Sequence, residues 1–397
     1  MRRLTSRLLW TLLVLSSLLA LAWWATRPVD PDAFYTPPGV PPAQVGVLLR
    51  QEVYERQVPN GAQAWRLLYT TSDLHGRPVL ASAIVMVSRL APAGPRPVIA
   101  WAHGTTGVAA GCAPSLLAQP YAHLPALSEL LAEGWILVAT DYAGLGTPGP
   151  HPYLIGQGEA RSVLDAVRAA RRMQGLQADT RTVVWGHSQG GHAALWAGML
   201  APQYAPDVPI AGVAAMAPAT DLPALVDRAQ HGLVGRVMSA YILQAYSAAY
   251  PDVRFDDYTP GLRGLLAKDM ARRCLEGPQT LFALAEAALS GGSIFATAPL
   301  EGALGQRLAQ NIPARPLPAP LLIAQGEADA LVWPDIQARY VQQRCRAGQP
   351  LEFRRYAGQD HLSIVAPDSP LTPQLVAWTR DRLAGRPASM GCQETRG

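Results

Sequence analysis

The sequence predicts an α/β fold: a mostly parallel central sheet flanked by helices, with a helix-rich insert over one face of the sheet between two parts of the core. Three observations predict it. Short, nearly continuous apolar runs recur and each ends in a turn, which fits strands buried on both faces. Helical patterns lie between these runs, and strands alternating with helices give a parallel sheet. The stretch 221–311 breaks the rhythm: it is helix-rich and holds no clear buried strand.

The elements follow in chain order. Residues 1–25 carry Arg2, Arg3 and Arg7, no acid, and an apolar run from Leu8 to Ala25. Before a Pro-rich stretch, that pattern is an export signal. Ala20-Leu21-Ala22 offers a small-x-small cleavage site. The run is also just long enough to span a bilayer, so an uncleaved anchor stays open. The protein is expected outside the cytoplasm: secreted, periplasmic, or held by that anchor. No cysteine follows the run, which argues against a lipoprotein linkage, and Arg2-Arg3 lacks the neighbours of a twin-arginine signal.

Residues 26–50 are Pro-rich and are expected to wrap the surface. The first part of the core is read as 51–220. It opens with "AWRLLYTT" and "PVLASAIVMV", which alternate as antiparallel strands do. Buried runs then follow: "PVIAWAHG" from 97, "GWILVATDYAG" from 134, "TRTVVWGHSQGG" from 180 and "PIAGVAAMAP" from 209. Between them, "GEARSVLDAVRAARRMQ" sets Val163, Ala166, Val167 and Ala170 at helical spacing. The insert, 221–311, reads as helices: "VGRVMSAYILQAYSAAY", "GLLAKDMARRCLEG" and "PQTLFALAEAALSGG". The core resumes over 312–397 with "APLLIAQGEAD", "LEFRRYAGQDH" and a closing helix, "LTPQLVAWTRDRLAG".

Composition narrows the function classes. The 397 residues are 49% hydrophobic, enough for one large domain or one domain with an insert, and too apolar for a disordered chain. The formal charge of +4 comes largely from the three leader arginines; the rest holds 30 basic against 29 acidic residues. No basic stripe with interleaved aromatics exists, so nucleic acid is not an expected partner. Cys112, Cys274, Cys345 and Cys392 are the four cysteines. An exporting compartment permits disulfides, and four cysteines leave three pairings open. No C-x-x-C pair is present, which argues against structural zinc.

The chemistry sits in "VVWGHSQGGHAALWA". Ser188 lies between Gly186 and Gly190, after an apolar run and before an alanine-rich one. A nucleophilic serine at a strand end must turn sharply into a helix, leaving no room for side chains two residues to either side. The helix N-terminus favours negative charge developing beside it. A serine hydroxyl needs a base. In this kind of fold the order is serine, acid, histidine. His361, just after the last predicted strand, is the candidate base; His192 and His231 are the other histidines after Ser188. Asp329, after "LLIAQGEA", is the candidate acid that orients the imidazole. Glu327, Asp335, Asp221 and Asp360 are the carboxylates that compete with it.

The tetrahedral intermediate needs two backbone donors. Gln189, following the nucleophile, supplies one. Thr105 in "AWAHGTTG" is the candidate second, with Thr106 as its alternative, and the Thr105 hydroxyl is a candidate third donor. Asp141 ends a strand and is read as pairing within its loop rather than catalysing. His151 and Tyr153 are candidates for the pocket wall or for structure.

Together "AHGTTG", "DYAGLG…HPYL", "EARSVLDAVRAAR", "GHSQGG", "QGEAD" and "DH" make the sequence resemble the secretory lipase family of the α/β-hydrolase superfamily, over residues 35–395. The resemblance implies the triad Ser188, Asp329 and His361, a helical cap with a lid, and hydrolysis of fatty acyl esters. It also implies disulfides pairing Cys112 with Cys274 and Cys345 with Cys392. The expected partner is a lipid or small ester, with a lipid interface as a further candidate; no cofactor, metal or obligate protein partner is called for. A short-chain carboxylesterase or polyester-type hydrolase shares every residue named. A serine peptidase or amidase also uses a triad, and a non-enzymatic adhesion member of the fold would have no need of one.

Overall fold

The computed structural model describes residues 2–37 and 39–397, without the side chains of residues 2–8, 12, 19 and 20. The leader's Arg2, Arg3, Arg7 and Ala20 side chains therefore lie outside the described residues. Residues Arg2–Ala25 form helix α1. Among the described residues no helix is long and apolar enough to cross a membrane.

Ten strands form one sheet among the described residues: β1 Leu48–Tyr54, β2 Ala62–Ser72, β3 Pro78–Ser88, β4 Arg96–Ala102, β5 Ile136–Ala143, β6 Ala178–His187, β7 Ile210–Met216, β8 Leu321–Gly326, β9 Leu351–Tyr356 and β10 Cys392–Arg396. Their order is β1-β2-β3-β5-β4-β6-β7-β8-β9-β10. The pairings β1–β2, β2–β3 and β3–β5 are antiparallel, and every pairing from β5–β4 to β9–β10 is parallel.

Period-2 alternation splits each central strand between two apolar layers. On β4, Val98, Ala100 and Ala102 face one layer with helices α3 (Gly156–Arg171) and α4 (Gln189–Tyr204), while Ile99 and Trp101 face the other. That second layer holds α2 (Leu127–Ala132) and the closing helix described below. Burial on both faces is why these strands read as continuous apolar runs.

Between β7 and β8 the chain forms α5 (Leu222–Ala229), α6 (Leu233–Ala249), α7 (Phe255–Tyr258), α8 (Gly261–Met270), α9 (Gly277–Leu289) and α10 (Ala303–Gln310). These helices share an apolar core of their own, reaching onto Tyr153, Leu154 and Ile155 of the main body. The Tyr246 hydroxyl donates to Leu154 O at 2.9 Å across that contact. Helices α11 (Pro334–Arg346) and α12 (Leu371–Leu383) complete the body.

Two disulfides join Cys112 to Cys274 and Cys345 to Cys392, the pairing the resemblance implied. The first ties the segment after β4 to the helical insert across 162 residues of chain. Replacing both its cysteines by serine is expected to lower stability by about 2–4 kcal/mol, read as an earlier denaturation midpoint.

Two features were not read from the sequence. Strand β10 is exposed along all five residues and has no apolar pattern; it pairs with β9 and is tied to α11 by Cys392. Within the Pro-rich segment, Phe34 and Tyr35 are buried against Leu68 and Leu80 rather than lying on the surface.

The insert also holds a charged cluster. Arg273 donates to Glu286 at 3.0 Å and to Asp269 at 2.9 Å, and the Trp23 indole N–H donates to Asp269 at 3.0 Å. Burial, then the Asp269 carboxylate, push the Glu286 carboxyl from its ordinary 4.5 up to about 8, against the pull of Arg273. An acid raised on folding contributes stability that is present below its unfolded value and is lost as pH climbs between the two. The wild type is therefore expected to lose Tm from pH 4.5 to 8 relative to Glu286→Gln, which cannot ionise there. Parallel Tm–pH curves for the two proteins would contradict this.

Candidate active site

Ser188 stands between the end of β6 and the start of α4 with φ +57° and ψ −118°, a region a residue with a Cβ rarely adopts. Sterics explain the flanking glycines. A Cβ on Gly186 would run into the Gly190 carbonyl, and one on Gly190 into the Ala102 carbonyl of β4. Backbone cannot yield as a flexible side chain can, so glycine is required at both positions. The Ser188 N–H donates to Met216 O at 2.9 Å, stitching the turn to β7.

The turn presents Ser188 Oγ 2.9 Å from His361 Nε2, and His361 Nδ1 lies 2.8 Å from Asp329 Oδ2. Serine, histidine and aspartate come from the ends of β6, β9 and β8. Asp329 is buried and saturated. Its Oδ1 accepts the backbone N–H groups of Leu331 and Val332, each at 2.8 Å, and its Oδ2 also accepts from Gln325 Nε2 at 3.1 Å. With Oδ2 accepting, the hydrogen sits on His361 Nδ1, and Nε2 is left to accept from the Ser188 hydroxyl.

The competing carboxylates are engaged elsewhere. Glu327 pairs with Arg355 at 3.1 Å, and Asp335 with Arg228 and Arg339. Asp221 caps α5 through Ala224 N–H, and Asp360 accepts from the N–H groups of Leu362 and Ser363 in its own turn. Asp141 is buried in a polar knot, accepting from Ser82 and Ser115 hydroxyls, each at 2.6 Å, and from Ser115 N–H. Burial raises its carboxyl above the ordinary carboxylate range despite these bonds.

Among the described residues no other histidine is hydrogen-bonded to Ser188 Oγ. Burial pulls His103 down to about 4 and His151 to about 3. Burial, with His361 adjacent, holds His187 far below its ordinary value. Neutral His187 donates from Nε2 to the His361 carbonyl at 2.8 Å, with the rings 4.7 Å apart. It thereby fixes the backbone of His361. His192 is buried in α4, its ring nitrogens against Glu159 and Asn311 O. The His231 carbonyl accepts from Arg236.

Gln189 begins α4, where backbone N–H groups lack intrahelical partners. Its side chain turns inward, donating to Glu159 at 2.7 Å and lying 2.9 Å from His151 Nε2. Among the described residues no acceptor takes the backbone N–H of Gln189 or of Thr105. Both residues line the cavity that opens on Ser188; Thr106 does not. Gly104 lies so close that a Cβ on it would stand 3.7 Å from Ser188 Cβ. Tyr153 lines the same cavity, with its hydroxyl 2.9 Å from Thr105 Oγ1; His151 sits behind it, out of the cavity.

The cavity measures about 650 Å³. Its floor carries Ser188 and His361, and its walls are apolar side chains of the insert, including Leu222, Leu225, Val237, Ile242 and Leu284. Among the described residues no cluster of ligands suited to a metal ion occurs. His187 and Gln325 support the site without any motif or spacing that marks them in the sequence. His187 stands inside the quoted stretch, but nothing in one sequence says that its ring reaches the backbone of a residue 174 positions later.

The family model described as secretory lipase matches residues 118–391. A probable inactive lipase of Mycobacterium tuberculosis is 29% identical over 394 residues, covering 91% of this chain and 84% of the relative. Lipase 5 of Candida albicans is 26% identical over 407 residues, 93% of this chain and 83% of the relative. Among solved structures, Candida antarctica lipase A superposes with a TM-score of 0.75 at 21% identity, over 93% of this chain and 90% of that one. That likeness gives the fold as the α/β-hydrolase fold.

Proposed function

The chain belongs to the secretory lipase family, and on that premise we propose that it is an exported ester hydrolase acting on fatty acyl esters through an acyl-enzyme on Ser188. The observation that carries this reading is the unbroken order Ser188–His361–Asp329, at 2.9 and 2.8 Å. One relative is named a probable inactive lipase. The complete hydrogen-bonded set in this chain supports an active enzyme.

The Ser188 oxygen attacks the ester carbonyl carbon while His361 Nε2 takes its proton. The oxyanion accepts from the Gln189 and Thr105 backbone N–H groups, preorganised donors that need no rearrangement as charge develops. The imidazolium, held by Asp329, returns the proton to the leaving alkoxide, and the alcohol departs. Water, deprotonated by the same nitrogen, attacks the acyl-enzyme; collapse frees the acid and restores the Ser188 hydroxyl.

The apolar cavity supports an acyl chain over a polar acid component. Exposed Leu233, Val234, Leu281, Leu289 and Leu362 on and beside the insert support presentation of that ester at a lipid surface. The two disulfides support an oxidising compartment.

The test is the hydrolysis rate across p-nitrophenyl esters from acetate to palmitate, with Ser188→Ala as blank. A maximum at octanoate or beyond is expected. A maximum at acetate or butyrate favours the second reading, a short-chain carboxylesterase with the same catalytic set.

A further inference from the structure

Tyr153 lines the cavity that holds Ser188. It precedes α3, is buried, and packs edge-on against Tyr241 of α6 with ring centroids 6.0 Å apart. Its hydroxyl lies between two partners. On one side stands Thr105 Oγ1 at 2.9 Å, where either oxygen can donate. On the other stands the Met238 sulfur of α6 at 3.3 Å, which only accepts. Tyr153 has one hydroxyl hydrogen, so it serves one partner at a time. Burial raises the Tyr153 phenol far above its ordinary value, so that hydrogen stays on the ring oxygen at any working pH.

The two arrangements differ in what Thr105 can do. When Tyr153 donates to Met238, the Thr105 hydroxyl points its own hydrogen at Tyr153. When Tyr153 donates to Thr105 Oγ1, the Thr105 hydrogen is released. Among the described residues Thr105 Oγ1 has no other hydrogen-bond partner, and Thr105 faces the cavity that holds Ser188. An oxyanion on the attacked carbonyl would then receive that hydrogen. The chain Tyr153 O–H to Thr105 O–H to oxyanion runs in one direction, and each bond polarises the next.

We propose that Tyr153 is a positioning residue for the reaction: it turns the Thr105 hydroxyl into a third oxyanion donor, with Met238 of the helical insert as the competing acceptor of its hydrogen. This rests on the reading of Ser188 as nucleophile. Because the insert supplies the sulfur, the placement of α6 bears on the oxyanion site as well as on the acyl cavity.

The experiment is a double-mutant cycle on p-nitrophenyl butyrate, comparing wild type, Thr105→Val, Thr105→Ser, Tyr153→Phe and Thr105→Val/Tyr153→Phe. Thr105→Val keeps the backbone donor and shape but removes the hydroxyl. It is expected to lower kcat about tenfold, less than loss of a principal oxyanion donor, with KM within about twofold. Thr105→Ser is expected to restore most of that loss. Tyr153→Phe is expected to lower kcat about fivefold, again without moving KM, and to add nothing in the Thr105→Val background. Independent, multiplying effects would overturn the proposal, because Tyr153 would then act other than through Thr105. A Tyr153→Phe enzyme changed only in KM would overturn it too, leaving Tyr153 a pocket wall. If a variant folds poorly, covalent titration of Ser188 by a fluorophosphonate normalises the rates to folded sites. Failure of the wild type to label at Ser188 would instead refute the underlying reading of the site.

Discussion

Replacing Ser188 by Ala should lower kcat on any ester by about 10⁴-fold or more, to the residual rate that binding and the oxyanion donors sustain alone. The fold should survive, because the Ser188 side chain makes its hydrogen bond to His361 and the turn is held by backbone: Ser188 N–H to Met216 O, and Ala219 N–H to Ser188 O at 3.2 Å. Ser188→Gly separates activity from stability further. At φ +57° and ψ −118° a Cβ is strained, and relief of such strain is of order 1–3 kcal/mol. The glycine variant should therefore be as inactive as the alanine variant, yet melt higher than it. An active Ser188→Ala enzyme, assayed free of contaminating esterase, would remove the mechanism.

Asp329→Asn should cost about as much, on the order of 10⁴-fold in kcat, though it only exchanges one carboxylate oxygen for an NH₂ of similar size. The geometry dictates why. Oδ1 accepts two backbone N–H groups, from Leu331 and Val332, so only a carbonyl oxygen can occupy that side. The new amide must then turn its NH₂ toward His361 Nδ1. A donor there forces Nδ1 to accept, which moves the ring hydrogen to Nε2, facing Ser188 Oγ. A protonated Nε2 cannot take the serine proton. The same NH₂ also meets the Gln325 amide, which now donates to Oδ2 at 3.1 Å, so two donors would confront each other. KM on a soluble ester should change little, because Asp329 lies outside the cavity wall. An Asp329→Asn enzyme retaining more than about a tenth of wild-type kcat would show that Asp329 does not set the tautomer.

Much of this site could be read in the sequence because its constraints are local. Gly186 and Gly190 flank Ser188 because the turn brings backbone against backbone, so the steric demand appears as glycine within five residues. Asp329 and His361 each follow a strand, and runs such as "LLIAQG" are legible because both faces of the sheet are covered there. Contacts set by side-chain orientation, whether between distant segments or neighbouring residues, were not legible. His187 against His361, and Gln325 beside Asp329, act through orientations that spacing does not encode. Asp141 shows the same limit: pairing was expected for it, but its partners Ser82 and Ser115 come from β3 and from the loop after β4. Strand β10 escaped notice because its sequence, "CQETR", is polar throughout and all five residues are exposed. Its place comes from pairing with β9 and from Cys392 bonded to Cys345. Phe34 and Tyr35 were hidden for the opposite reason: two isolated aromatics among prolines give no period, yet they fill a pocket over Leu68 and Leu80.

The measurement that bears most directly on the central claim is covalent labelling of the whole chain by a fluorophosphonate, read by intact mass and peptide map alongside esterase activity. One adduct per chain is expected, on Ser188, with activity lost in step with labelling and no adduct on Ser188→Ala. Ester hydrolysis that persists after Ser188 is fully labelled, or an adduct on another residue that tracks the loss of activity, would contradict it.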